Sequence, residues 1–479
     1  METTLWKSSA NRAEYPTLDH DIICDAVVIG GGLCGMLCAY KLSRLGLKVT
    51  ILEAERIGSG QTSGTTAKIT VAHSNIYSRI ADELGEHESE IYASAATHAI
   101  DEYEDIIMRE NIDCGFSRLS SYLYTLYGER LIYKEYDAAR RAGLSCGIEK
   151  SVELPFEVAC ALKFPNQAQF NPIKFLNGIA HGFEIYENSR ALEIHDGKII
   201  CENGSVSAKF IITATNYPLF GDLKSMFPIR LHRRMAHVYT FSGVPAMQNM
   251  YIGIDGGYNY RSSDDILIVS GENHVSGEGT GGAYERLKDS TLSSFKNAVP
   301  YIHWSAEDSV AIDKIPVIGR MHSTGGDILT CCGFMTWGMT SSMVAADIIS
   351  DTVCGRGNPA ASLFTPKRFH ASASMDELGG MVSRAASGII GASFKVPEEE
   401  LAELRRGEGA IVRYMGQKYA AFRDENGAVH LSDPRCPHLK CELCWNGDDR
   451  TWDCPCHGSR FDIDGRLLTG PAEHSVCQC

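Results

Sequence analysis

The 479-residue chain has no apolar run long enough for a bilayer, no excess of positive charge and no regular cysteine framework. The first absence argues against a membrane span, which needs about 20 consecutive apolar residues. The second, 45 Lys and Arg against 60 Asp and Glu for a net charge of −15, argues against nucleic acid, which is bound by basic surfaces. Such a field weakly favours cationic small molecules. The 17 cysteines are scattered, as suits a reducing compartment. The first residues, METTLWKSSANRAEYP, contain no signal-peptide core. A cytoplasmic protein is therefore expected. What is present is ample apolar material, 44% of residues, over a length suited to about three domain-sized units.

Near the C-terminus, Cys436-Pro-His438 is followed after fifteen intervening residues by Cys454-Pro-Cys456-His457. Each unit mixes one thiolate with one imidazole. Two Cys on one iron and two His on the other describe a Rieske [2Fe–2S] centre, whose imidazole ligands leave the cluster less negative and raise its potential. A Cys2His2 zinc site is the rival reading, but zinc fingers group like ligands together. The strings CPHLKC (436–441) and CPCHGSRFD (454–462) resemble the two ligand loops of Rieske proteins. That resemblance implies one cluster held by Cys436, His438, Cys454 and His457, a disulfide between Cys441 and Cys456, and a Ser459 hydroxyl donating to cluster sulfur. Phe461 stands where many respiratory members carry a second donor, Tyr, and Lys440 replaces the usual Gly. A potential below the respiratory members is expected, because donors around a cluster tune it.

The first half carries a second cofactor signal. DAVVIGGG (25–32) runs an apolar strand into glycines, and Gly30-Gly31-Gly32-Leu33-Cys34-Gly35 fits G-x-G-x-x-G. A helical stretch, MLCAYKLSRLG, and a second strand ending at Glu53 follow. Gly30 permits the tight turn, Gly32 lets the backbone approach a pyrophosphate, and Gly35 lets the helix pack closely. The helix N-terminus attracts the phosphates and Glu53 accepts from ribose hydroxyls. Gly277-Glu278-Gly279-Thr280-Gly281-Gly282 fits the same pattern but lacks the strand–helix–strand context, and reads as a surface turn. The small-residue loop RIGSGQTSGTTAK (56–68), ALEI (191–194), IITATNYP (211–218), DKIPVIGR (313–320) and ILTCCGFMTWGMTSSMVAADIIS (328–350) extend the match. Together these segments resemble FAD-dependent oxidoreductases of the D-amino-acid oxidase, glycine oxidase and sarcosine oxidase class. The resemblance implies FAD contacts from Gly30, Gly31, Gly32, Leu33, Gly35, Glu53, Ala54, Gly60, Gly64, Thr65, Thr66, Ala191, Gly333, Trp337, Gly338, Met339 and Thr340. Thr66 and Lys68 lie where some relatives attach FAD through His, so non-covalent FAD is expected.

The expected architecture is α/β: a Rossmann-like FAD-binding domain over 20–365 with an inserted α+β substrate domain (80–165 and 225–307). A linker with helices over 366–399 leads to a small all-β Rieske domain over 400–479. Residues 355–374, rich in Pro, Gly, Ala and Ser, open that linker, and alternating residues with an ENG turn mark the β-domain. No catalytic residue is assigned. Tyr260, Arg261 and Trp337 are cavity candidates, with Tyr258, His232, His237 and His73 behind them; each also has an ordinary structural reading.

Hydride chemistry and a one-electron cluster on one chain suggest a dehydrogenase that oxidises a small substrate and reduces an acceptor protein or small carrier. Amino-acid-oxidising relatives carry an Arg before the DGxPxIG segment to clamp a carboxylate. WSAEDSVAID (304–313) has neither Arg nor Lys. Glu307 and Asp308 instead suit a cationic amine, and a solvated loop accounts for them equally well. An amino-acid oxidase and an electron-transfer module without its own substrate are the alternatives. A Rieske oxygenase needs D-x2-H-x4-H for its mononuclear iron; His232 and His237 have the spacing, but Ile229 replaces the carboxylate.

Overall fold

The structure, a computed structural model, describes residues 3–9, 13–217, 230–321, 327–368, 379–380, 383 and 401–477. The expected linker over 366–399 falls largely outside the described residues. Among them, no helix is long and apolar enough to cross a membrane.

The Gly-rich segment sits where the sequence places it. Strand Ile22–Ile29 pairs in parallel with Val49–Leu52 on one side and Ser205–Asn216 on the other. The latter pairs in parallel with Asp327–Cys332. These strands read as nearly continuous apolar runs because a parallel sheet is covered on both faces. Val317–Arg320 and Glu184–Tyr186 close the path, and the Glu193–His195 and Lys198–Ile200 hairpin attaches beside it, making eight strands. Helix Leu33–Arg44 packs on this sheet and against helix Gly338–Val353, so both helix N-termini open at one end of the strands.

The inserted regions form a second sheet of nine strands. Its strands come from 117–169 and from Leu231–Ser242 through Val299–Ala311, and Lys68–Ile69 joins its far end. The sheet thus reaches beyond both expected subdomain limits. Leu231–Ser242 and Val299–Ala311 pair antiparallel over most of their length, with Val299–Ala311 at the edge.

Beyond residue 400 the chain forms two small antiparallel sheets of three and four strands. Leu443, Trp452, Phe461, Ala472 and the Cys441–Cys456 disulfide fill their core. Such a small core gains from a cross-link that restricts the unfolded chain.

Candidate active site and iron–sulfur centre

The turn after Ile22–Ile29 is built for close approach. A Cβ on Gly30, at φ +105°, would meet the Ala214 carbonyl oxygen at 2.6 Å, and one on Gly35 would meet the Gly30 oxygen at 1.9 Å. Those two glycines are required by the protein itself. Gly32 is different, since its Cβ would meet only Thr62 Oγ1, at 3.3 Å. Gly60 and Gly338 have nothing within 4 Å, and all three line one cavity. Backbone left bare towards one shared cavity leaves room for a ligand to approach it closely. Glu53 accepts from Gly31 N at 2.7 Å and from Glu55 N at 2.8 Å, and burial raises its carboxyl above the usual range.

The cavity, about 460 Å³, runs from this turn to the second sheet. It is lined by Gly30, Gly32, Leu33, Glu53, Ala54, Gly60, Gly64, Thr65, Thr66, Ala191, Trp337, Gly338 and Met339, all anticipated from the sequence. Gly31, Gly35, Gly333 and Thr340 stand outside the lining. Gly333, at φ +70°, lies against Leu231 and Ala311, and the Thr340 hydroxyl donates to the Thr70 carbonyl. The small-residue loop is pinned from outside: Trp6 Nε1 donates to Thr65 O, Trp304 Nε1 to Gly64 O and Arg261 Nη1 to Ala67 O.

Arg261 is therefore not a cavity residue. It is buried, with its guanidinium 5.5 Å from the Trp6 ring, and desolvation pulls it down to about 9. Tyr260 sits in an aromatic cluster with Phe156 and Phe295. Trp337 does reach the cavity and stacks on His73 at 4.6 Å. His73 pairs with the Tyr92 hydroxyl at 2.7 Å, and burial lowers it to about 3, so it is a neutral core residue. His232, His237 and Tyr258 do not line the cavity.

Five charged groups line it, Glu53, Glu55, Lys68, Arg190 and Asp308, of which Lys68 and Asp308 come from the second sheet. Lys68, buried, donates to Thr66 Oγ1 at 3.0 Å; desolvation, with Arg261 adding repulsion, lowers it to about 7. Asp308 has no hydrogen-bond partner for its carboxylate among the described residues. Desolvation first and the neighbouring Glu307 charge second raise it to about 7, against the opposing pull of Arg234 across the strand pair. The sequence offered Glu307 and Asp308 together; strand alternation separates them, because successive side chains point to opposite faces. Sequence alone places Lys68 only near a point where some relatives attach FAD. Leu468 and Thr469, from the last strand of the Rieske region, also line the cavity, and nothing local in the sequence signals this.

The four expected cluster ligands come together. Cys436 and Cys454 are buried and share a hydrogen bond that lowers the Cys436 thiol. The His438 and His457 rings lie 5.0 Å apart. Both Nδ1 atoms are buried without a partner, which leaves two donor atoms for iron. Burial lowers both imidazoles, His457 to about 4, so they stand in the neutral, ligating form. The loops are held by Lys440 N to Cys436 O and Gly458 N to Cys454 O, each 2.9 Å, and by the Cys441–Cys456 disulfide. Lys440 adopts a left-handed φ of 60°, the conformation that favours the usual Gly. The Ser459 hydroxyl, fully buried, bonds Cys436 and accepts from Ala472 N at 2.9 Å. Two thiolates, two free imidazole nitrogens and a hydroxyl on one thiolate fit a [2Fe–2S] group.

This region is docked on the second sheet. Asp449 accepts from Ser305 Oγ at 2.6 Å and from the Tyr284 hydroxyl at 2.9 Å, and is held by Arg460. Asp448 accepts from Gly282 N and Ala283 N, capping helix Ala283–Ser294. Gly277 and Gly458, both at positive φ, make close contacts across the interface with Pro455 and Arg233.

A Gly-rich dinucleotide cradle beside a mixed Cys–His iron site defines a flavin and iron–sulfur oxidoreductase. The sequence profile of the FAD dependent oxidoreductase family matches residues 25–352, and that of the Rieske [2Fe-2S] domain matches 395–479. The chain belongs to the FAD-dependent oxidoreductase family and carries a C-terminal Rieske domain; FAD and a [2Fe–2S] cluster are its cofactors. It is 34% identical to YhfW of Bacillus subtilis (strain 168), named as a Rieske 2Fe-2S iron-sulfur protein, over 98% of this chain and 96% of that one. It is 23% identical to gamma-glutamylputrescine oxidoreductase of Escherichia coli (strain K12), over 82% and 97%. The fold is that of glycine oxidase from Geobacillus kaustophilus, with TM-score 0.61, 16% identity and coverage of 73% and 99%. L-Amino acid deaminase from Proteus myxofaciens matches with TM-score 0.62, 15% identity and coverage of 77% and 98%.

Proposed function

We propose that this protein is a dehydrogenase that oxidises a small amine at its CH–NH bond and delivers the electrons to an external acceptor protein or carrier. The observation that carries the reading is Asp308, a carboxylate facing the cavity with no hydrogen-bond partner among the described residues and the Arg234 charge opposite it across the strand pair. When bound, the flavin accepts two electrons as a hydride equivalent and the cluster carries electrons singly. The chain's own residues do the rest. Asp308 pairs with the incoming ammonium, which offsets the desolvation that raises its carboxyl. Val238, Ile252 and Phe334 line the same cavity and exclude water. The ammonium sheds a proton to solvent, and loss of a hydride from carbon then leaves an iminium ion, which water converts to a carbonyl compound and an ammonium ion.

The relative that acts on gamma-glutamylputrescine supports an amine bearing a polar tail. The amino-acid enzymes that share the fold support a second reading, in which Lys68 takes a carboxylate. Its lowered ammonium makes it a weak clamp near pH 7. Anaerobic mixing of the holoprotein with panels of amines and amino acids, watched by flavin absorbance, decides between them. Bleaching by amines is the expected result; bleaching by amino acids alone rejects the amine reading.

A further inference from the structure

The cavity and the iron ligand loops lie on opposite faces of the same pair of strands. Along Leu231–Ser242 and Val299–Ala311, Ala236, Val238, Ala306 and Asp308 line the cavity. Arg233, Ser305 and Glu307 meet the Rieske domain on the other side. That strand pair lies between them, and Leu468 and Thr469 of the Rieske domain reach the cavity beside it.

Glu307 stands at the edge of that sheet and is almost fully buried. Its carboxylate accepts from Arg233 Nη1 at 2.5 Å and from the hydroxyls of Ser276 and Thr469, each at 3.0 Å. Its backbone N donates to Gln61 Oε1 at 2.9 Å, and Gln61 lines the cavity within the small-residue loop. Arg233 lies directly against Gly458, next to the ligand His457, where an added Cβ would come within 2.5 Å of Arg233 Cβ. A continuous run of bonded and packed groups, Gln61 to Glu307 to Arg233 to Gly458, joins the cofactor loop to the ligand loop. Thr469 ties the same carboxylate to the last strand of the Rieske domain and lines the cavity itself.

We infer that Arg233, Glu307 and Thr469 are positioning residues that lock the 454–459 ligand loop onto the flavin cavity, so that electrons pass between the centres in a permanently docked domain. Undocking would break the Thr469 bond and the Arg233–Gly458 contact and open a buried ion pair to rearrangement, which disfavours a swinging domain. The inference rests on the proposed passage of electrons between the two centres.

The test uses anaerobic holoprotein and electrons injected photochemically with deazaflavin, following flavin and cluster absorbance together. Native protein should re-equilibrate at a rate independent of added glycerol. Thr469→Val and Glu307→Gln should each slow that rate by about tenfold or more at unchanged FAD and iron content. Glu307→Gln should also raise the cluster midpoint potential, because the Arg233 charge beside the ligand loop is no longer balanced. Thr469→Val removes a single hydroxyl, so it keeps the test open if Glu307→Gln does not fold. A viscosity-dependent native rate, or unchanged rates in Thr469→Val and in every folded variant, overturns the inference alone. Absence of any exchange in native protein overturns the electron-transfer reading and this inference with it.

Discussion

Asp308 sets a stability cost against the binding role proposed for it. Its carboxyl rises from 3.8 to about 7, so the folded chain holds this proton more tightly than the unfolded chain does between those values. Its contribution to stability is therefore greatest at low pH and is lost as pH rises through that window. Asp308→Asn should raise Tm by roughly 2–4 °C at pH 8 and have little effect at pH 4, as read by thermal melts at both. The same variant should weaken anaerobic flavin reduction by cationic amines about tenfold or more, through loss of a charged hydrogen bond. A variant that reduces as fast as native removes Asp308 from substrate binding. Sequence spacing brought this residue into view, but only as one of an adjacent acidic pair. Which of the two faces the cavity depends on the register of an edge strand, and that is a tertiary fact.

Among the elements, the strand–turn–helix after Ile22–Ile29 was the most legible, because each glycine in it answers a local demand. Gly32 and Gly35 separate two such demands. Gly32→Ala meets only Thr62 in the protein, so it should keep native thermal stability without cofactor while lowering the FAD-to-protein ratio of purified material. Gly35→Ala collides with backbone and should destabilise the fold by several kcal/mol, visible as loss of soluble protein or a lowered denaturation midpoint. Equal behaviour of the two would sink the assignment of Gly32 to a ligand. The iron loops were equally legible, since their ligands lie within a few residues of one another. The disulfide, expected from resemblance, is present and spans 15 residues. Cys441→Ser should cost the Rieske domain about 3 kcal/mol and lower iron content at elevated temperature, measured by denaturant titration and iron assay. The second sheet was harder to read, because its strands come from two regions and its last member, Lys68–Ile69, from a third. The candidates Tyr260 and Arg261 failed to reach the cavity for the same reason: alternation turned one into an aromatic cluster and the other under the cofactor loop.

At the scale of the molecule, the contact between the two cofactor regions could not have been read in advance. Thr469 and Glu307 are 162 positions apart, and Asp449 lies 165 from Tyr284 and 144 from Ser305. No periodicity links such pairs. Asp449 takes two of the hydrogen bonds across this dock, from Ser305 and Tyr284, so Asp449→Ala should loosen the Rieske domain. Hydrogen exchange over residues 436–459 should then accelerate, with little change in strand Ile22–Ile29. Exchange that stays at native levels in the iron loops would show that the dock does not depend on this turn.

Residues 305–308 give two faces to one strand, Ser305 and Glu307 meeting the Rieske domain and Ala306 and Asp308 lining the cavity. Inserting a single residue ahead of Trp304 would trade those faces, pushing a buried glutamate into the cavity and an aspartate against Arg233. Substitution at Ala306 or Asp308 thus reshapes the cavity alone, while gain or loss of one residue in the strand would disturb cavity and dock together.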